Sequence, residues 1–316
     1  MKTITTPQII IAIILLMVII LLAVVYSNYR SGLEQAETRL ESIETRVIET
    51  DCGEIEFTSY GKGYPVLVIH GIFGGHDQGL ILARGQIGEQ FQSIIPSRFG
   101  YLGSPLPENV TPADQADALA CLLEELDIER TAVLATSAGG TSAIQFALRY
   151  PELCSALILV SSNAPGEVDV GLPPKPIARV LFRSDFIFWV LTEYFPSTMH
   201  SIMGVPGVFQ MTPDYEKELQ EVMDTLLPVR PRAAGSLYDM YISNPAINSY
   251  PVAEIPVPTL ILHAEDDPLA NYQNVKIMAK KIPEAELVSF ESGGHPLLGR
   301  EKRISREIAV FIGEHQ

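Results

Sequence analysis

The chain has 316 residues, 47% of them hydrophobic, with 38 acidic against 22 basic side chains and a formal net charge of −16. That length holds one large α/β domain or two small ones. No segment supplies the basic stripe that phosphate binding needs, so a nucleic-acid partner is not expected, and solubility accounts for the acidity.

From Ile9 to Tyr26 the sequence is an uninterrupted apolar run, long enough at about 1.5 Å per residue to cross most of a bilayer. Residues 1–29 are expected to form an N-terminal membrane anchor. The rival is a cleaved signal peptide, whose apolar region usually spans about 7–15 residues and ends at a small-x-small site. Ala23-Val24-Val25 does not offer that site cleanly. Lys2 faces Arg30 and Arg39 across the run, so the positive-inside rule leaves orientation poorly fixed. The short basic tail is similar to that of a signal anchor with the bulk of the chain outside the cytoplasm. Residues 30–45 then turn polar, with Leu33, Ala36, Leu40 and Ile43 three or four apart among acidic and basic neighbours. Too short for a coiled-coil seam, this segment reads as a solvated helical linker.

Residues 46–316 read as an α/β domain. Two extended runs flank Cys52-Gly53, and Pro65 to Ile69 is a strand without alternation, as in a sheet covered on both faces. The glycine-rich turn after it, His70 to His76, lacks the spacing of a dinucleotide or phosphate loop. A helix is expected over 80–91, a strand over 92–96 and a helix opened by Thr111-Pro112 with the 3.6-residue period of a sheet-packing face. Cys52, Cys121 and Cys154 are an odd set at spacings that match no metal or redox motif, so no disulfide framework is expected.

Thr131 to Ala143 is an apolar run that halts at Ser137 and continues as a small-residue helix. A serine at such a corner is lifted off the sheet edge. The next N–H, that of Ala138, lies at the amino end of the new helix, where an oxyanion is favoured. Another buried strand follows at 156–162. Residues 163–250 break the strand-helix alternation with prolines, aromatics and helical periodicity, as an inserted cap would. The apolar run Pro258 to Ala264 then stops at Glu265-Asp266-Asp267, setting acids at the carboxyl edge of the sheet. After a helix near 271–282 and a strand over 286–290, His295 sits on a glycine-flanked loop.

Ala135-Thr136-Ser137-Ala138-Gly139 resembles the nucleophile elbow of α/β-hydrolases, with Ala135 for the first glycine. Ser97 to Ser104 is similar to that family's loop after the fourth strand, with Ser97 where an aspartate is common. The resemblance covers residues 46–316 and implies a mostly parallel sheet flanked by helices, with a helical cap between strands 6 and 7. It implies a catalytic triad of Ser137, Asp267 and His295, in the chain order expected of the fold, with Asp266 the one-residue-slip alternative. Ile72 and Ala138 would donate backbone N–H groups to the oxyanion. The expected activity is hydrolysis of an ester-like bond in a small-molecule substrate with an apolar portion, with no cofactor and no metal. Thioesterase, carbon–carbon hydrolase and cofactor-free haloperoxidase activities, or a non-catalytic membrane-anchored binding protein, are the alternatives.

Overall fold

The computed structural model describes residues 6–166 and 171–316. Residues 1–5 of the expected anchor, Lys2 among them, and residues 167–170 of the expected cap lie outside the described residues. The strands are β1 (Arg46–Thr50), β2 (Gly53–Tyr60), β3 (Pro65–Ile69), β4 (Gln92–Pro96), β5 (Thr131–Thr136), β6 (Cys154–Val160), β7 (Thr259–Ala264) and β8 (Ala285–Phe290). They form one sheet in the order β1-β2-β4-β3-β5-β6-β7-β8. β2 pairs antiparallel with β1 and β4, and every other pair is parallel.

Unbroken apolar runs build the central strands because successive side chains point to opposite faces and both faces are covered. Leu67, Ile69, Val133, Leu157 and Ile261 join one core with helices α3 (Pro112–Glu125) and α4 (Gly139–Arg149). Their neighbours Val66, Val68, Leu134, Ile158 and Leu260 join a second core with α2 (His76–Leu82) and the C-terminal helix. Thr111 caps α3 through a reciprocal capping box with Asp114. The helix expected over 80–91 starts earlier, at His76, and α2 continues only as a π-helical turn, Ala83–Ile87, closed by Gly88.

Between β6 and β7 lies the inserted cap: α5 (Lys175–Leu181), α6 (Asp185–Tyr194), α7 (Pro196–Ile202), α8 (Pro213–Asp224), α9 (Ala233–Tyr238) and the short α10 (Asn244–Ala246). α11 (Tyr272–Lys281) and α12 (Glu301–Glu314) complete the fold. The cap has its own core, built around Phe182, Phe188, Trp189, Met199 and Leu219.

Two further expectations are corrected. The N-terminal helix α1 (Thr6–Glu41) runs without a break from the apolar span through the polar segment. It is long and apolar enough to cross a membrane. Its polar part is not a free, solvated linker, because Leu33 and Ala36 are buried and Ala36 joins the cap core. Of the apolar stripe that was too short for a coiled coil, Ala36 meets the cap core, whereas Ile43, past the end of the helix, packs against the core that α2 and the C-terminal helix share with the sheet. Cys52 and Cys121 are joined as a disulfide across 69 residues of chain, contrary to the expectation of none. The β1–β2 turn folds onto α3 and brings the two Cα atoms to 6.2 Å, within bridging range. Cys154 remains free and buried.

Candidate active site

β5 ends at Thr136 and Ser137 turns the chain into α4 with φ of 51°, a left-handed conformation that is uncommon for a residue with a Cβ. The corner is tight. A Cβ on Gly139 would meet the carbonyls of His70 and Ile69 at 2.5 and 2.7 Å, so only glycine lets α4 start this close to β3. A Cβ on Gly71 would come within 3.2 Å of the Ser137 Cβ, which sets the His70–Gly75 turn directly beside the serine. Among the described residues no protein acceptor takes the backbone N–H of Ile72 or of Ala138, the two groups expected to bind an oxyanion.

The carboxyl edges of β5, β7 and the segment after β8 bring Ser137, Asp267 and His295 together. His295 Nε2 lies 2.9 Å from Ser137 Oγ and its Nδ1 lies 2.8 Å from Asp267 Oδ2. With Nδ1–H donating to the carboxylate, Nε2 is free to accept the serine proton. Asp267 is held by more than the imidazole, since its Oδ1 accepts the N–H groups of Leu269 and Ala270 at 2.8 and 3.0 Å. Burial alone would raise the Asp267 carboxyl. The His295 charge and hydrogen bond, the Ala270 N–H and His263 outweigh it and hold the group below the usual carboxylate range. Asp266 has a different place. Its Oδ1 accepts Gly294 N–H at 2.9 Å, shaping the loop that carries His295 without touching the imidazole.

Sequence reasoning missed the groups that hold the His70–Gly75 turn. Arg98, fully buried, donates from Nε to the His70 carbonyl at 3.0 Å and from Nη2 to the Gly71 carbonyl at 3.1 Å. Its charge is paired with the buried Asp239 of the cap, which also accepts from Tyr101. The Arg98 N–H donates to His70 Nε2 at 3.0 Å, so Nδ1 carries the proton and donates to the Gly71 carbonyl at 2.8 Å. Burial, reinforced by the Arg98 charge, keeps the His70 imidazole well below its usual range, and the ring is neutral. From the cap, Arg232 donates to the Gly74 carbonyl at 2.8 Å and pairs with Asp77. The sole sequence signal was Arg98 within the loop after β4; its partner lies 141 residues away.

An apolar roof covers the same turn. Phe73, at φ of 58°, packs edge-on against Phe182 and lies 5.3 Å, centroid to centroid, from Phe188 of the cap. Among the described residues no three His, Cys, Asp or Glu side chains converge as a metal-ligand set. A serine, an imidazole and a carboxylate in one hydrogen-bonded chain, beside two unengaged N–H donors and an apolar wall, form an arrangement suited to acyl transfer.

Residues 64–299 match the family model described as the alpha/beta hydrolase fold. The chain belongs to the α/β-hydrolase family. An uncharacterized hydrolase of Bacillus subtilis, YcgS, is 30% identical to this hydrolase over 277 residues, covering 81% of this chain and 94% of the relative. Among solved structures, an alpha/beta hydrolase fold protein from Nakamurella multipartita superposes with a TM-score of 0.70 at 26% identity, over 85% of this chain and 98% of that one. A membrane phospholipase A shares the fold at 18% identity with a TM-score of 0.63, and the likeness covers 98% of this hydrolase and 99% of that protein. Other relatives and neighbours are named lipases and esterases, and the hydrolase is of that esterase- and lipase-like kind.

Proposed function

We propose that this hydrolase cleaves an ester-like bond in a small-molecule substrate with an apolar portion, through an acyl-enzyme on Ser137. The hydrogen-bonded chain from Ser137 Oγ through His295 to Asp267 carries the reading. His295 Nε2 takes the hydroxyl proton as Oγ bonds to the carbonyl carbon, and the N–H groups of Ile72 and Ala138 receive the oxyanion. The intermediate collapses, the bond to the leaving group breaks, and His295 returns the proton to the departing oxygen. Water then repeats the sequence against the acyl-enzyme, His295 taking its proton and giving it back to Ser137. Asp267 keeps the imidazole in the working tautomer and balances its charge during each transfer. Each oxyanion donor is worth about 10²–10³ in kcat in such sites.

The apolar Phe73, Phe182 and Phe188 support a substrate with an apolar acyl or alcohol part. We also infer that residues 9–26 hold the hydrolase in a lipid bilayer with its catalytic domain outside the cytoplasm. Exposed apolar side chains along α1 support the anchor. The Cys52–Cys121 disulfide supports an oxidising compartment, where such bonds persist. A panel of short and long acyl esters, run on wild type and Ser137→Ala, tests the reaction. Loss of turnover with the circular dichroism spectrum retained is expected, and unchanged hydrolysis in the variant would remove the mechanism.

A further inference from the structure

The surface of the cap differs from the rest of the molecule. Outside α1, nine of the twelve exposed large apolar side chains among the described residues belong to the cap, which is less than a third of the chain. They include Val180 at 66%, Phe195 at 54% and Phe186 at 43% exposure. Soluble proteins scatter such residues singly, and a concentration of them marks a contact surface.

The position of this surface follows from α1. Tyr29 stacks edge-on against Phe186 with ring centroids 5.2 Å apart, and lies 5.6 Å from the Trp189 ring. A Cβ on Gly32 would meet Trp189 Nε1 at 2.8 Å, so α1 and α6 are in close contact one turn further on. Tyr29 is three residues past the end of the apolar run, about 4.5 Å along a helix axis. The polar interface on each side of a bilayer is roughly 5–8 Å thick. Phe186 therefore stands at the level where the chain leaves the hydrocarbon, with Tyr26 and Tyr29 beside it. Tyrosine and tryptophan at that level are the usual interfacial anchors.

Charge agrees with position. Over residues 171–208, Lys175, Arg179 and Arg183 outnumber Asp185 and Glu193, giving one net positive charge within a chain of −16. Basic side chains between apolar ones favour a surface of anionic lipid headgroups. An uncharged or acidic face would not.

We infer that the cap surface around α5 and α6, exposing Val180, Phe186 and, just past the end of α6, Phe195, is seated in the headgroup region of the bilayer that α1 spans. The inference rests on the reading of α1 as a membrane anchor. α1 and α6 act as one unit at the membrane surface, the cap lies against lipid, and an acyl ester dissolved in the bilayer meets the cap without crossing bulk water. α1 has a structural task beyond tethering, since Arg39 on its last turn donates to the Leu227 carbonyl of the cap at 2.8 Å. That bond ties the cap to the last turn of α1.

The natural cysteines do not interfere with a labelling test, because two are bonded to each other and Cys154 is buried. The full chain is reconstituted in vesicles of phosphatidylcholine and phosphatidylglycerol containing a spin-labelled lipid quencher, with an environment-sensitive fluorophore on V180C, F195C, I277C or L16C. Ile277 is an exposed apolar residue of α11, outside the cap, and Leu16 lies near the middle of the span. Quenching at V180C and F195C at least twofold above I277C, with L16C quenched most, is the expected result. Cap probes quenched no more than I277C while L16C is quenched would overturn the seating and leave the anchor standing. An unquenched L16C would overturn the anchor and the seating together. Cap probes shielded from aqueous iodide but unquenched by lipid would give this face to a second copy of the chain and equally end the inference.

Discussion

The backbone N–H of His295 donates to the Gly204 carbonyl at 2.9 Å, fastening the loop that carries the imidazole to the cap. Gly204 has φ of +81°, and a Cβ there would come within 2.5 Å of the His295 Cβ. Gly204→Ala is expected to push the imidazole out of line with Ser137 and lower kcat about 10–100-fold, since misplacement of about 1 Å can cost that much. Steady-state kinetics on a soluble ester checks it. A kcat within twofold of wild type would mean that the cap does not set the imidazole's place.

Adjacent carboxylates with separate partners predict separate losses. Asp267→Asn removes the group that fixes the His295 tautomer and is expected to lower kcat by roughly 10³–10⁴-fold. Asp266→Asn keeps an oxygen to accept the Gly294 N–H and is expected to stay within about tenfold, as a loop-shaping change. Parallel kinetic measurements on the two variants decide the matter, and equal losses would contradict the assignment of roles.

The Cys52–Cys121 bond closes a loop of 69 residues between the first hairpin and α3. On a chain-entropy account, a loop of that size is worth about 4 kcal/mol. Reduction, or the double substitution C52S/C121S, is expected to lower the unfolding free energy by a corresponding amount, read from urea titrations in which the m-value rises as the released unfolded chain expands. No shift on reduction would mean that the hairpin and α3 are held by packing alone.

A carboxyl pair links the cap to the body. Burial, together with the hydrogen bond and charge of Glu301, pushes Glu218 up to about 8. A group whose folded value is raised contributes stability that is complete below its unfolded value, about 4.3, and is lost as pH rises towards the folded one. The stability from this pair is therefore expected to fade between about pH 4 and pH 8. Glu218→Gln is expected to be more stable than wild type at pH 9 and close to it at pH 5, read from denaturant midpoints at both values. A wild-type advantage at pH 9 would oppose this.

Much of the fold was legible because its physics is local. The unbroken apolar runs at β3, β5, β6 and β7 signal burial on both faces, and each stops where a polar corner begins. Ser137 and Asp267 stand at such corners and His295 on the loop after β8, so their convergence followed from topology. What was hidden depends on distance along the chain. The Arg98 charge meets its partner at Asp239 only after the cap folds back, and Cys52 finds Cys121 only when the hairpin lies on α3. Leu33 and Ala36 showed their spacing in the sequence, but nothing in that spacing names the cap core as the partner of Ala36. Periodicity reveals that a helix has an apolar face and leaves open what that face meets.

The central claim is that Ser137 is made nucleophilic by His295. Fluorophosphonate labelling of the folded full-length protein, followed by peptide mass spectrometry, tests it most directly. One adduct on Ser137 is expected, slowed by at least about 10³-fold in His295→Ala, where the general base is gone. An unmodified Ser137 in folded protein, or an adduct that forms equally fast without the imidazole, would contradict the account.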